Sequence, residues 1–117
     1  MKTLFILNDP PYGTERCYNA IRLAHALLKN DPQAQVFVFL MADAVIAARK
    51  GQKTPDGYYN VERMLKRVLA GHGQVLLCGA CMDARGLDEA ALIDGARRSS
   101  MDELAAATVE ADKVLVF

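Results

Sequence analysis

Residues 74–86 read Gln74-Val-Leu-Leu-Cys78-Gly79-Ala-Cys81-Met-Asp83-Ala-Arg85-Gly86. Val75 to Cys78 are apolar without interruption, the pattern of a strand buried on both faces. Small and polar residues follow at once, so a helix beginning here leaves almost no loop. Parallel strands need a crossover, usually a helix, so a buried strand running straight into a helix points to a parallel sheet.

The same unit recurs on either side. Lys2–Asn8 and Val36–Met41 are further buried strands, and Lys113–Phe117 is the last. Asp9-Pro10-Pro11-Tyr12-Gly13 is a loop, because two prolines fix φ and remove amide donors. Thr14 is placed to cap the helix that follows. On that helix Cys17, Ile21, Ala24 and Leu28 make one apolar stripe, with Arg22, His25 and Lys29 on the wet side. Asn30-Asp31-Pro32 stops it. Asp43–Lys50 is a short helix closed by Gly51, and Gln52–Gly57 is a polar loop. Asn60 caps a helix with Val61, Met64, Leu65, Val68 and Leu69 on one face, which ends at Gly71. Asp88–Ile93 contains a helical turn, Ala96–Ser99 is a short and poor strand, and Ser100-Met-Asp-Glu103 is a capping box before an alanine-rich helix. Strands and helices alternating on this scale give an α/β fold, a parallel sheet with helices on both faces.

The chain has 117 residues and 52% hydrophobic content, enough for one domain over residues 1–117 with its own core. Fourteen basic and fourteen acidic residues leave a net charge of zero, which argues against duplex nucleic acid and anionic membrane as partners and removes a barrier to self-association. The apolar start ends at Asn8-Asp9-Pro10-Pro11, far short of the roughly 20 residues a spanning helix needs. Three cysteines do not make a disulfide framework. A cytoplasmic location is expected.

In an open α/β sheet, ligands bind beyond the carboxyl ends of the strands. Four segments qualify: Asp9–Gly13, Met41–Asp43, Gln52–Gly57 and Cys78–Gly86. Cys78 ends the third strand, and amides at a following helix start favour a thiolate there. Cys81 lies one turn on, less favourably placed toward solvent, and Arg85 is near enough to add positive charge. The plain alternative is that both cysteines are small buried hydrophobes. Exposure separates these readings: an accessible Cys78 favours sulfur chemistry, a buried one a packing role. Zinc is disfavoured, because His72 would sit roughly 20 Å from Cys78 across the strand. A thioredoxin-type dithiol lacks a proline after Pro55. Asp43 reads as a helix cap first and a polar lip of the site second. Arg49, Lys50 and Lys53 read as a wet loop.

The chain as a whole resembles the DsrE/DsrF-like family, most closely its small YchN-type branch. The resemblance runs through Asn8, Pro11-Tyr12-Gly13, Phe39-Leu-Met41, Asp43-Ala-Val45, Gly51-Gln-Lys53, Gly57-Tyr58, Asn60, Leu77-Cys78, Cys81, Asp83, Arg85-Gly86, Ile93-Asp-Gly95 and Ala111-Asp-Lys113-Val-Leu115. It implies a three-layer α/β/α fold with a five-stranded parallel sheet of Rossmann-like topology. It also implies a ring-forming homo-oligomer, most commonly a hexamer, with trimer and dimer as alternatives. Tyr12, Tyr58 and Tyr59 then serve as contacts. The family's relay members carry sulfur as a persulfide on the cysteine ending the third strand, which is Cys78 here. The implied site is therefore Cys78 with Cys81 and Arg85, and a binding surface of Asn8, Tyr12, Gly13, Met41, Asp43, Gly79, Asp83 and Gly86, with no metal and no cofactor. Sulfur donor and acceptor proteins or small thiols are the implied partners. The alternatives are a non-catalytic ring that binds a small ligand or partner, and a thiol–disulfide sensor using Cys78 and Cys81. Ala96-Arg97-Arg98 departs from the family's more apolar strand, and its charges suit a sheet edge.

Overall fold

The computed structural model describes residues 1–117. Five strands, β1 (Lys2–Leu7), β2 (Gln35–Leu40), β3 (Gln74–Cys78), β4 (Ala96–Ser99) and β5 (Lys113–Val116), form one sheet in the order β4-β3-β2-β1-β5. Every neighbouring pair is parallel. The helices are α1 (Arg16–Asn30), α2 (Val61–Ala70), α3 (Gly79–Ala84) and α4 (Met101–Glu110). A 3₁₀ helix spans Ala42–Ala48, and a 3₁₀ turn spans Glu89–Ala91.

The strand order dictates how the faces are covered. From β1 to β4 the chain steps across the sheet in one direction, and right-handed crossovers then place α1, α2 and α3 on one face. Only the step from β4 back to β5 runs the other way, so α4 alone lands on the opposite face. The core divides accordingly. Twenty-two buried residues, among them Phe5, Leu7, Ile21, Leu40, Leu65 and Met82, fill the α1/α2/α3 side. Five, namely Leu4, Phe39, Leu76, Cys78 and Leu104, lie under α4. The outer surface of α4 and the edge strand β5 stay apolar and open: Val109 is 87% exposed and Val116 65%.

Local details follow the sequence closely in most places. Asn60 Oδ1 accepts the Arg63 amide at 3.1 Å and opens α2. Ser100 Oγ accepts the Glu103 amide at 3.2 Å and opens α4. Glu103 does not complete the capping box, because its carboxylate is held by Arg97 at 2.9 and 3.1 Å. Three expectations are corrected. Thr14 is not the cap of α1: Glu15 holds that position without a side-chain bond, and Thr14 Oγ1 donates to Asp9 at 3.2 Å and accepts the Arg16 amide at 3.4 Å. His25 is not on a wet face, since its ring is half-buried and its Nδ1 is buried without a partner. Asp43 does not cap the 3₁₀ helix, whose start at Met41 has no side-chain bond.

Candidate functional site

The topology itself marks a place for a site. β3 and β4 are neighbours, yet β3 leads into α3 on one face and β4 into α4 on the other. Their carboxyl ends therefore flank a crevice, the switch point where open α/β sheets bind ligands. Cys78 pairs in register with Ser99 at this point.

Cys78 closes β3 and precedes Gly79, the first residue of α3. The alternation of the strand turns its side chain toward α4, into the small cluster with Leu76 and Leu104, where Met41 and Cys81 also pack. It is 6% exposed. By the exposure criterion this weighs toward the packing reading, and it reverses the expected ranking, because Cys81 is the more open of the two. The Cys81 sulfur accepts the backbone amide of Ala42 at 3.2 Å. Burial pushes the Cys81 thiol upward, and a hydrogen bond with the Cys78 side chain pushes the same way. The Ala42 amide and the charge of Arg85 oppose the rise. Both cysteines pack in the same small cluster, and Cys81 has the polar partners.

Ala42 donates that amide from the left-handed region, at φ 51°. A residue with a Cβ is uncommon there, and such conformations persist only where the surroundings enforce them. The sequence gives no sign of it, and Ala42 was not among the expected site residues. Beside it Asp43 binds Arg85 through Oδ1, at 3.0 Å from Nε and 2.9 Å from the terminal nitrogen. Arg85 also donates to the Cys81 carbonyl at 3.1 Å. Asp43 is thus the lip of the site, linked to α3, and Arg85 reaches the thiols by its field and not by a hydrogen bond.

The charges of β4 also fall into place. Arg98 binds both carboxylate oxygens of Asp83 at 2.7 and 2.8 Å, and Asp83 is held below the usual carboxylate range by that pairing. Its guanidinium lies over Gly79, where an added Cβ would come within 2.7 Å of it. Glycine at this position leaves room for a cation near Cys78. The sequence marks Arg98 only as an edge-strand charge. Pairing the poor strand Ala96–Ser99 in parallel with Gln74–Cys78 is what would have located it.

The remaining expected binding residues are elsewhere or structural. Asn8 ties the end of β1 to Phe117, through its amide at 3.1 Å and its side chain at 3.4 Å. Gly86, at φ 62°, ends the α3 turn. Tyr12 donates its hydroxyl to Gln52, receives the Val61 amide at 3.1 Å and stacks on Tyr59. Gly13, at φ 101°, lines a separate open cavity of about 550 Å³ with Tyr12 and Tyr59. Tyr12 and Tyr59 spend their rings on each other, so only Tyr58 remains as an exposed contact ring. No group of three His, Cys, Asp or Glu side chains is placed to hold a metal ion. Cys17, the third cysteine, is buried under α1 and donates to the Asp9 carbonyl at 3.1 Å. Burial, helped by Asp9, pushes its thiol up to about 12.

Comparison with known proteins agrees with this architecture. The model of the DsrE/DsrF-like family matches residues 1–117. Protein YchN of Escherichia coli (strain K12) is 42% identical over 99% of this chain and 98% of its own. Its crystal structure superposes with a TM-score of 0.94 over the same shares of the two chains. Uncharacterized protein MJ0989 of Methanocaldococcus jannaschii is 39% identical over all of both chains. Sulfurtransferase TusD of Salmonella typhi is 28% identical, again over all of both chains.

Proposed function

We propose, from the premise that this chain belongs to the DsrE/DsrF-like family, that it is a cytoplasmic sulfur carrier that holds sulfane sulfur on Cys78. Membership places it among relatives that include sulfurtransferases by name. The observation that carries the reading is the polar setting of the paired thiols. An amide aimed at the Cys81 sulfur, with Arg85 and Arg98 nearby, suits a site that holds developing negative charge. A site made only for packing needs none of these.

In the proposed cycle the Cys78 thiolate attacks the outer sulfur of a donor persulfide. The donor's sulfur–sulfur bond breaks, the donor leaves as a thiolate, and Cys78 carries the persulfide with no net oxidation. An acceptor thiolate then attacks the outer sulfur and restores Cys78. Cys81 offers a second exit: its thiolate attacks Cys78 Sγ, forming the Cys78–Cys81 disulfide and releasing hydrosulfide. A reducing thiol then resets the pair. Burial of Cys78 requires Cys81 or Met41 to move aside during transfer, and it shields the carried sulfur between transfers.

Burial also favours the second reading, a ring-forming protein in which the cysteines only pack. Both readings include self-association of this single domain, as a hexamer, through surfaces such as the open apolar side of α4 and β5. Donor and acceptor are proteins or small thiols. No helix is long and apolar enough to cross a membrane. Intact mass spectrometry after incubation with a persulfide donor tests the proposal. The expected result is one sulfur added to the wild type and to Cys17→Ala but not to Cys78→Ser. Absence of added sulfur in every form leaves the packing reading standing. Light scattering tests the assembly, which a monomeric mass at micromolar concentration overturns.

A further inference from the structure

All four tyrosines of the chain, Tyr12, Tyr18, Tyr58 and Tyr59, gather beside the α1/α2 groove, away from any role in the thiol site. The rings of Tyr12, Tyr59 and Tyr18 stack in sequence, with centroids 5.8 and 4.3 Å apart. The Arg22 guanidinium lies 5.0 Å from the Tyr18 ring centre. Tyr58 is 70% exposed and lines the same cavity of about 380 Å³ as Tyr18 and Tyr59. That volume is within the usual range for small-molecule sites, roughly 300–1,000 Å³.

The charge lining this cavity is one-sided. Arg22, Arg63 and Arg67 line it, and no carboxylate does. Of the eight arginines, Arg16, Arg85, Arg97 and Arg98 form ion pairs. Three of the remaining four are here. In a chain with balanced charge, three guanidiniums without a carboxylate partner around one cavity leave a local excess that an anion would neutralise. A smaller cavity of about 60 Å³ shares Arg22, Met64 and Arg67 with the first and adds His25, whose Nδ1 is buried without a partner. A buried unpaired nitrogen is costly unless something satisfies it. The floor is firmly built. Glu62 accepts the Gly51 and Gln52 amides at 3.0 and 2.8 Å, and Asn60 donates to the Gln52 carbonyl at 3.2 Å, which fixes one end of the loop bearing Tyr58.

We propose that this groove binds a free mononucleotide, with the base on the exposed ring of Tyr58 at the edge of the Tyr18–Tyr59 stack and the phosphates held by Arg22, Arg63 and Arg67. Planar guanidiniums match phosphate oxygens two at a time, and tyrosine rings accept any base by its face. A polymer is the less suited ligand, because the net charge is zero and basic residues do not continue as a long track.

Calorimetric titration of the full chain with AMP, ADP, ATP, inorganic phosphate and a short single-stranded oligonucleotide tests this. The chain has no tryptophan, so its intrinsic emission comes from these four tyrosines and provides a second readout. A nucleotide is expected to quench that emission and to bind at least about tenfold more tightly than phosphate. Arg63→Gln and Arg67→Gln, both on exposed positions, should each weaken it about tenfold or more. Tyr58→Ala should weaken it about fivefold or more. Circular dichroism confirms that each variant is folded. No binding at millimolar nucleotide overturns the proposal, as does phosphate binding as tightly as a nucleotide. Tighter binding of the oligonucleotide overturns it in favour of a nucleic-acid site, and unchanged affinity in all three folded variants overturns the placement.

Discussion

The two faces of the sheet bury cysteines in very different company. On the α1/α2/α3 face, Cys17 sits in a cluster of 22 buried residues, and its sulfur meets only a carbonyl. On the α4 face, Cys78 sits in a cluster of five, next to a second thiol and close to two arginines. Both are nearly inaccessible, at 1% and 6%. Exposure alone therefore does not distinguish them, while depth of packing and polar surroundings do. A thick core leaves a thiol inert. A thin one lets small side-chain movements uncover it.

The sharpest way to break this contrast is to load both thiols. Cys78→Ser should lose all sulfur uptake and Cys17→Ala none, read by intact mass; uptake on Cys17 would erase the distinction. Arg85→Ala should slow uptake without abolishing it, because Arg85 acts through its field and is already bound by Asp43. A rate equal to wild type would remove Arg85 from the site.

Stability gives the next largest effect. Leu65→Ala, in the thick core, should cost about 3–5 kcal/mol, and Leu104→Ala, in the thin one, about 2 kcal/mol, by urea unfolding. Equal losses would show the two faces to be energetically alike. Cys17→Ala should cost about 1 kcal/mol. It should also alter the alkaline limb. The folded Cys17 thiol keeps its proton to about 12, whereas an ordinary one gives it up near 9.0. The folded state therefore binds more protons between those values, so this contribution is intact below pH 9 and declines as pH rises toward 12. Wild type should lose stability over that window faster than Cys17→Ala, and parallel curves would contradict it.

Much of this was legible in the sequence. Continuous apolar runs within Lys2–Asn8, Val36–Met41 and Gln74–Cys78 mark strands buried on both faces, and caps at Asn60 and Ser100 announce their helices. The family resemblance, stated on loop residues, is the one the comparisons bear out. What escaped depends on contacts between distant segments. Asp43 looks like a cap until Arg85, 42 residues later, claims its carboxylate. Ala42 carries no mark of its left-handed backbone, because the surrounding fold enforces it. His25 has the spacing of a wet position, yet the neighbouring α2 helps enclose it. The weak coverage of one face follows from strand order, which local pattern does not encode.

The pairing of β1 with β5 bears on how the protein is made. Thr3 is in register with Lys113 and Ile6 with Val116, and Asp112 donates to the Lys2 carbonyl at 2.8 Å. A ribosome delivers β1 more than a hundred residues before the strand that will cover its free edge. Until then β1 is an exposed, sticky border on the nascent chain, the kind of edge that invites pairing with a neighbour. β2 can join β1 early, after one helix, but β1 is covered on its other side only when β5 has emerged. The last strand therefore decides which border the sheet presents: a chain clipped before Lys113 would end on β1, and the full chain ends on β5.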